Sequence, residues 1–201
     1  MPRSPDALRI IREQSRDRIL AAALHLFAQH GFAATSVKMI AQHAGVAQGL
    51  LYNYFESKTA LLRAIFERSM ADVRESFETA EASARPADRI EALVRSALDI
   101  VRRNRAFWQL SYQVRMQPEV RATLGEDIGT WADAIRGRLE ALLHDAGSAR
   151  PEIEARALFA AIDGVAQHFV LDPERYPVDE VCREIVARFT PAGGPHKGGG
   201  R

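Results

Sequence analysis

Apolar residues recur along this chain at spacings of three and four, in blocks separated by glycine, proline and short polar runs. That period is helical. A first helix is expected over residues 15–30, with Ile19, Ala23, Leu26, Phe27 and His30 as its buried stripe and Gly31 as its end. Thr35 or Ser36 then caps a second helix, because a hydroxyl there accepts a bond from an unpaired backbone N–H. Its apolar positions are Val37, Ile40, Ala41 and Ala44, and Gly45 supplies the left-handed backbone that stops it. A third apolar pattern, Val46, Leu51 and Phe55, is only about two turns long and too short to stand alone in water. It must rest on its neighbours, which leaves Gln48, Gly49, Leu50, Tyr52 and Asn53 on a free face. Ser57 caps a long fourth helix through Leu61, Leu62, Ile65, Phe66, Met70, Val73 and Phe77, ending near residue 82.

The break over residues 83–86 precedes a fifth helix with proline in its first turn and Ile90, Leu93, Val94, Ala97, Leu98 and Val101 as its stripe. A sixth, over residues 105–117, is rich in aromatics and ends or kinks at Pro118. The seventh runs to about residue 145. Gly125, Gly129 and Gly137 weaken it by roughly 1 kcal/mol each relative to alanine, so a bend, an interruption or a close helix crossing is expected there. The eighth, from Pro151 to about residue 170, carries Ala155, Ala157, Ala160, Ala161, Gly164 and Ala166, small residues that let two helices approach closely. The ninth, over residues 178–189, offers Val181, Cys182, Ile185, Val186 and Phe189. The chain thus reads as all-α: a three-helix head, a long fourth helix, and a C-terminal helical bundle.

Composition refines this. The chain has 201 residues, 47% of them hydrophobic, enough for a sizeable core. One cysteine, Cys182, excludes an internal disulfide and the common zinc-cluster spacings, and fits a reducing compartment. No apolar run approaches the roughly 20 residues that span a bilayer, and the N-terminus lacks the apolar core of a signal peptide. A cytoplasmic protein with no membrane partner is expected. Net charge is only +1, but residues 1–58 carry seven Lys/Arg against four Asp/Glu, whereas residues 59–190 carry eighteen against twenty-two. A basic head on an acidic body suits a protein that offers one end to phosphate. Residues 1–14, with Arg3, Arg9 and Arg12, read as a flexible solvated arm, and the Gly/Pro-rich residues 191–201 as a disordered tail.

Two packed helices joined by a glycine turn are a helix-turn-helix, whose second helix enters the DNA major groove. Lys38 and Lys58 place charge at the edges of this motif, and Thr35 and Ser36 provide hydroxyls for caps or phosphates. Tyr52 and Tyr54 can set a phenolic O–H on the backbone. Gln48 suits adenine, Leu50 a thymine methyl, and Gly49 close approach. His25, His30 and His43 do not share one helical face with a carboxylate, so no metal or other cofactor is expected. There is no Gly-rich phosphate loop, no HExxH and no Ser or Cys nucleophile in a recognisable setting, which argues against an enzyme.

The runs ILAAALHLFAQHGFAATSV, MIAQHAGV and GLLYNYFESKTALL, with Gly31, Gly45, Tyr52, Phe55 and Lys58 in register, make residues 19–62 resemble the DNA-binding head of the TetR family of bacterial repressors. The resemblance implies a DNA-binding domain over residues 15–62 and a ligand-binding and dimerisation domain over residues 63–190. It implies DNA contacts at Lys38, Gln48, Gly49, Leu50, Tyr52, Tyr54 and Lys58. Many relatives have serine at the position of Ala47 and a small or hydroxylated residue at that of Leu50. It further implies a homodimer through helices 8 and 9 on a palindromic operator, and release by a small apolar ligand. Candidate pocket residues are Phe107, Trp108, Tyr112, Met116, Trp131 and Phe169, with Asp163, Gln167 and His168 as polar groups. The competing reading is a ligand-independent DNA-binding protein whose body serves only dimerisation.

Overall fold

A computed structural model describes residues 5–83 and 85–190, and the tail beyond residue 190 lies outside the described residues. It is all-helical: α1 (Pro5–His30), α2 (Val37–Ala44), α3 (Gln48–Tyr52), α4 (Lys58–Glu81), α5 (Pro86–Arg103), α6 (Arg105–Arg115), α7 (Pro118–Asp145), α8 (Pro151–Leu171) and α9 (Val178–Phe189). Two compact units share the chain. One comprises Met1–Met70 with Ala106–Glu126, the other Ala71–Arg105 with Asp127–Arg201.

The first unit is built on α1. Its Ile19, Ala23 and Phe27 are fully buried, together with Ile40 of α2, Leu51 of α3, and Leu61 and Leu62 of α4. Phe32 folds back edge-on against Phe27, with ring centroids 5.2 Å apart. His30, expected in the stripe, is exposed at the last turn of α1. The turn between α2 and α3 follows from Gly45, which sits at φ 66° and ψ 37°. From that left-handed position its N–H reaches Gln42 O at 3.2 Å and the Val46 N–H reaches Ala41 O at 3.0 Å, closing the end of α2.

One expectation needs correction. Of the arm expected over residues 1–14, residues 5–14 are helical, because α1 begins at Pro5 and continues without a break into the head, and residues 1–4 lie outside the described residues. Proline is suited to the first helical turn, where its missing N–H has no intrahelical acceptor to lose. The apolar stripe could not show this, since residues 9–14 are all exposed, Ile10 and Ile11 among them.

The second unit packs α5, α8 and α9 against one another. Ile90, Leu93, Val94 and Leu98 of α5 are buried, as are Ala155, Leu158 and Val165 of α8 and Cys182, Ile185 and Phe189 of α9. Burial raises the Cys182 thiol above its ordinary pKa. The bend expected in α7 falls at Leu124, beside Gly125, where the backbone leaves helical geometry at φ −122° and ψ 15°. No helix among the described residues is long and apolar enough to cross a membrane.

Candidate nucleic-acid interface

The head has one open helical face, and short local rules place it. Ser36 caps α2 by accepting the Met39 N–H at 3.2 Å. Ser57 does the same for α4 through the Ala60 N–H at 3.0 Å. Ala47, at the start of α3, makes no side-chain cap. The first turn of α3 therefore keeps backbone N–H groups without an intrahelical partner. Leu51 fixes α3 inward with no exposure. The opposite face presents Gln48, Gly49, Leu50, Tyr52 and Asn53, all exposed, with Tyr52 at 49% of its surface. A side chain built at Gly49 would meet no protein atom within 4 Å, so this surface is open to an incoming groove. Ser36 and Lys38 are exposed on the same motif, whereas Tyr54 is half-buried.

Two predicted contacts are committed elsewhere. Thr35 is fully buried. Its hydroxyl lies within hydrogen-bond distance of two carbonyls, Gly31 O in the turn after α1 at 2.8 Å and Leu26 O of α1 at 3.2 Å. Lys58 turns back beneath the loop before α2. Its ammonium donates to Phe32 O at 2.7 Å, Thr35 O at 2.9 Å and Ala33 O at 3.1 Å. It also sits 4.5 Å from the centroid of the Phe32 ring. An ammonium has three donors, and all three are used. Burial lowers the Lys58 pKa from its ordinary value. Lys58 therefore clamps the loop rather than offering a hydrogen bond to phosphate.

Sequence reasoning missed Gln117. Its amide donates to Phe27 O at 2.8 Å and accepts the Phe32 N–H at 2.8 Å, so one side chain bridges the end of α1 and the residue that follows the Gly31 turn. The two partners lie 90 and 85 residues away in sequence, beyond the reach of any local signal.

The ligand candidates fall into two groups, one in each unit. On α6, Phe107 packs edge-on against Trp108 at 5.9 Å, and Trp108 lies 5.7 Å from Tyr112. Trp108 is only 8% exposed. Its indole Nε1 is buried without a hydrogen-bond partner, which costs free energy on the order of 1–3 kcal/mol. Phe107 also lines a cavity of about 250 Å³ with Leu20, Ala21, Leu24, Ile65, Arg68 and Leu110. Met116 lies past the end of α6 and is 65% exposed. In the second unit Trp131 is half-buried and Phe169 buried, with the Arg102 guanidinium 5.9 Å from the Phe169 ring. Gln167 donates to Asp163 at 2.7 Å along α8. His168 is exposed and stacks on Tyr176 at 5.8 Å, which places it on the outer face of α8 instead of in an interior pocket. His25 and His43, set aside as metal ligands, stack at 5.1 Å across α1 and α2. No cluster of three metal-binding side chains occurs among the described residues.

A short exposed helix held by a glycine turn against two supporting helices defines a DNA-binding helix-turn-helix protein. Residues 19–65 match the bacterial regulatory proteins of the tetR family, and residues 81–192 match the tetracyclin repressor-like C-terminal domain. The chain belongs to the tetR family of bacterial transcriptional regulators, which are not enzymes. It is 38% identical over 77 residues to the HTH-type transcriptional regulator UidR of Escherichia coli strain K12, a match covering 36% of this chain and 39% of UidR. A TetR-like transcriptional regulator from Rhodococcus sp. RHA1 is 26% identical, with a TM-score of 0.71, over 94% of this chain and 96% of that one. The regulator FadR of Bacillus subtilis, solved in complex with stearoyl-CoA, shares the fold at 18% identity, with a TM-score of 0.68, over 87% of this chain and 97% of its own.

Proposed function

We propose that the protein is a repressor that binds a palindromic operator as a homodimer and is released by a small apolar ligand. The observation that carries the DNA-reading part is the open face of α3, with Gln48, Leu50 and Tyr52 exposed around a glycine that clears the way for a groove. In this reading Gln48 pairs with a base edge and Leu50 touches a thymine methyl. Ser36, Lys38, Tyr52, Asn53 and Tyr54 hold the sugar-phosphate backbone and set the register. Residues 15–62 act as the DNA-binding domain, lengthened at its start by the added turns of α1, and residues 63–190 as the ligand-binding and dimerisation domain.

One head contacts too few base pairs to select a site in a genome, and two heads on a two-fold axis read a palindrome. The outer face of α8 supports pairing through α8 and α9. Ile153, Ala157, Ala160, Gly164, His168 and Leu171 recur along it at helical spacing, and Leu171 is 71% exposed. Such an apolar stripe is costly to leave in water and fits a second copy of itself.

Release by ligand is supported by the Trp108 indole N–H, buried without a hydrogen-bond partner, and by the apolar cavity beside Phe107. Gln117 gives that ligand a route to the head. It sits between α6 and α7 and holds the Phe27 carbonyl and Phe32 N–H, so a shift of α6 disturbs the turn that leads into α2. FadR's stearoyl-CoA makes acyl compounds reasonable first probes. The same indole and cavity weigh against a body that serves dimerisation alone. The test is the mass of the complex on a duplex selected by the protein from genomic fragments, with apolar compounds then titrated in. Two protomers per duplex and release by at least one compound class are expected. One protomer per duplex sinks the dimer reading, and binding untouched by acyl, aromatic and drug-like libraries restores the ligand-independent one.

A further inference from the structure

With Lys58 and Thr35 turned inward, the phosphates beside α3 need other donors, and the structure puts arginines there. The N-terminal half of α1 carries Arg9, Arg12 and Arg16 at positions i, i+3 and i+7, one face of the helix. These three, with Glu13, form one wall of a groove of about 270 Å³ whose other wall is Asn53 and Tyr54, just beyond α3. The Arg12 guanidinium lies 5.7 Å from the Tyr54 ring and that of Arg16 lies 5.4 Å from the Phe55 ring. Both are aimed across the groove toward the helix-turn-helix, and both residues remain exposed. Arg9 has one partner, Glu13, at 3.7 Å, with both side chains more than 60% exposed. An exposed pair of that kind gives way readily to a stronger anion. Three cations against one carboxylate leave the groove basic.

We propose that this groove is a second DNA-binding surface. Arg9, Arg12 and Arg16 would hold the phosphate backbone flanking the segment that α3 reads. The inference rests on the reading that α3 enters the major groove. Ten helical residues ahead of Ser15 extend about 15 Å. That is the length of about four phosphates along one strand. Rings beneath Arg12 and Arg16 keep their guanidiniums extended, so less freedom is lost when they meet phosphate. Glu13 opposes the contact and sets its sign test.

The experiment uses the full chain, a duplex selected by the protein and trimmed to its shortest tight-binding core, and the same core with six added base pairs on each side. Affinity is measured at several salt concentrations. Wild type should bind the flanked duplex at least tenfold more tightly than the core. The double variant Arg9→Ala, Arg12→Ala should lose that preference, and its salt slope on the flanked duplex should fall by about two. Glu13→Gln should tighten flanked binding while leaving core binding unchanged. A melting temperature equal to wild type shows that each variant is folded. If wild type binds core and flanked duplexes equally, or the double variant keeps both preference and slope, the surface is not a DNA contact and the reading of α3 stands. If wild type binds no duplex, both readings fall.

Discussion

Replacing Lys58 with methionine keeps most of the side-chain volume while removing the charge and three hydrogen bonds to Phe32 O, Ala33 O and Thr35 O. Hydrogen bonds to a charged group contribute about 1.5–3 kcal/mol each. Water can take the place of the exposed one at Ala33, and methionine recovers some contact with the Phe32 ring. The two part-buried bonds then dominate, for a net loss of about 3 kcal/mol. For a chain of this size that lowers the melting temperature by about 6–12 °C. Lys58→Arg should recover little of it, because a planar fork cannot reach three carbonyls gathered around one point. The assay pairs thermal denaturation with DNA binding measured well below the transition. Affinity should weaken on every sequence, since the loop positions α2, but the slope of log affinity against log salt should not change. A stability change under about 0.5 kcal/mol together with a slope reduced by about one would show that Lys58 serves phosphate and would refute the clamp.

Other consequences are open to direct measurement. Gln48→Ala should change which bases are preferred, seen as an altered consensus in a selection from random duplexes, with little change in salt slope. Gln117→Leu removes a two-sided bridge to the turn after α1 and should destabilise the protein by about 1–3 kcal/mol in chemical denaturation. An unchanged midpoint would remove Gln117 from the account. Ser36→Ala should cost about 1 kcal/mol through the lost cap, read in the same assay. Cys182, buried and with its thiol pKa raised, should resist alkylation at pH 7 and become reactive only in denaturant. Fast reaction in the native protein would place it at the surface.

Legibility in the sequence followed the range of the interactions. Helix starts at Pro86 and Pro151, the stop at Gly45 and the cap at Ser57 are set by neighbours within about four residues and are readable from composition and spacing, whereas Pro118, which reads as the end of the sixth helix, opens the seventh, and the structure chooses Ser36 over Thr35 as the cap of α2. The free face of α3 was readable because Leu51 alone fixes which side is buried. The roles of Lys58, Thr35 and Gln117 were not. A lysine at a helix start looks the same whether it faces phosphate or folds under a loop 23 to 26 residues away, and only the packed head decides. The early turns of α1 are hidden for the opposite reason: residues 9–14 are exposed, so no buried stripe marks them as helix. On α8 the spacing announced small residues but not which of them face outward. His168 reads as a pocket group because a histidine beside a phenylalanine gives no sign of its direction, and the structure leaves it exposed against Tyr176.

The most direct test of the central claim is a fluorescence-anisotropy titration of the purified protein against DNA from upstream of its own gene and against a scrambled duplex, at two salt concentrations. The account predicts tight binding to one duplex that weakens steeply with salt, and much weaker binding to the other. Equal weak binding to both would send the search for the site elsewhere in the genome by unbiased selection. No binding to any duplex at low salt, with the protein folded, would contradict the claim that the exposed face of α3 reads DNA.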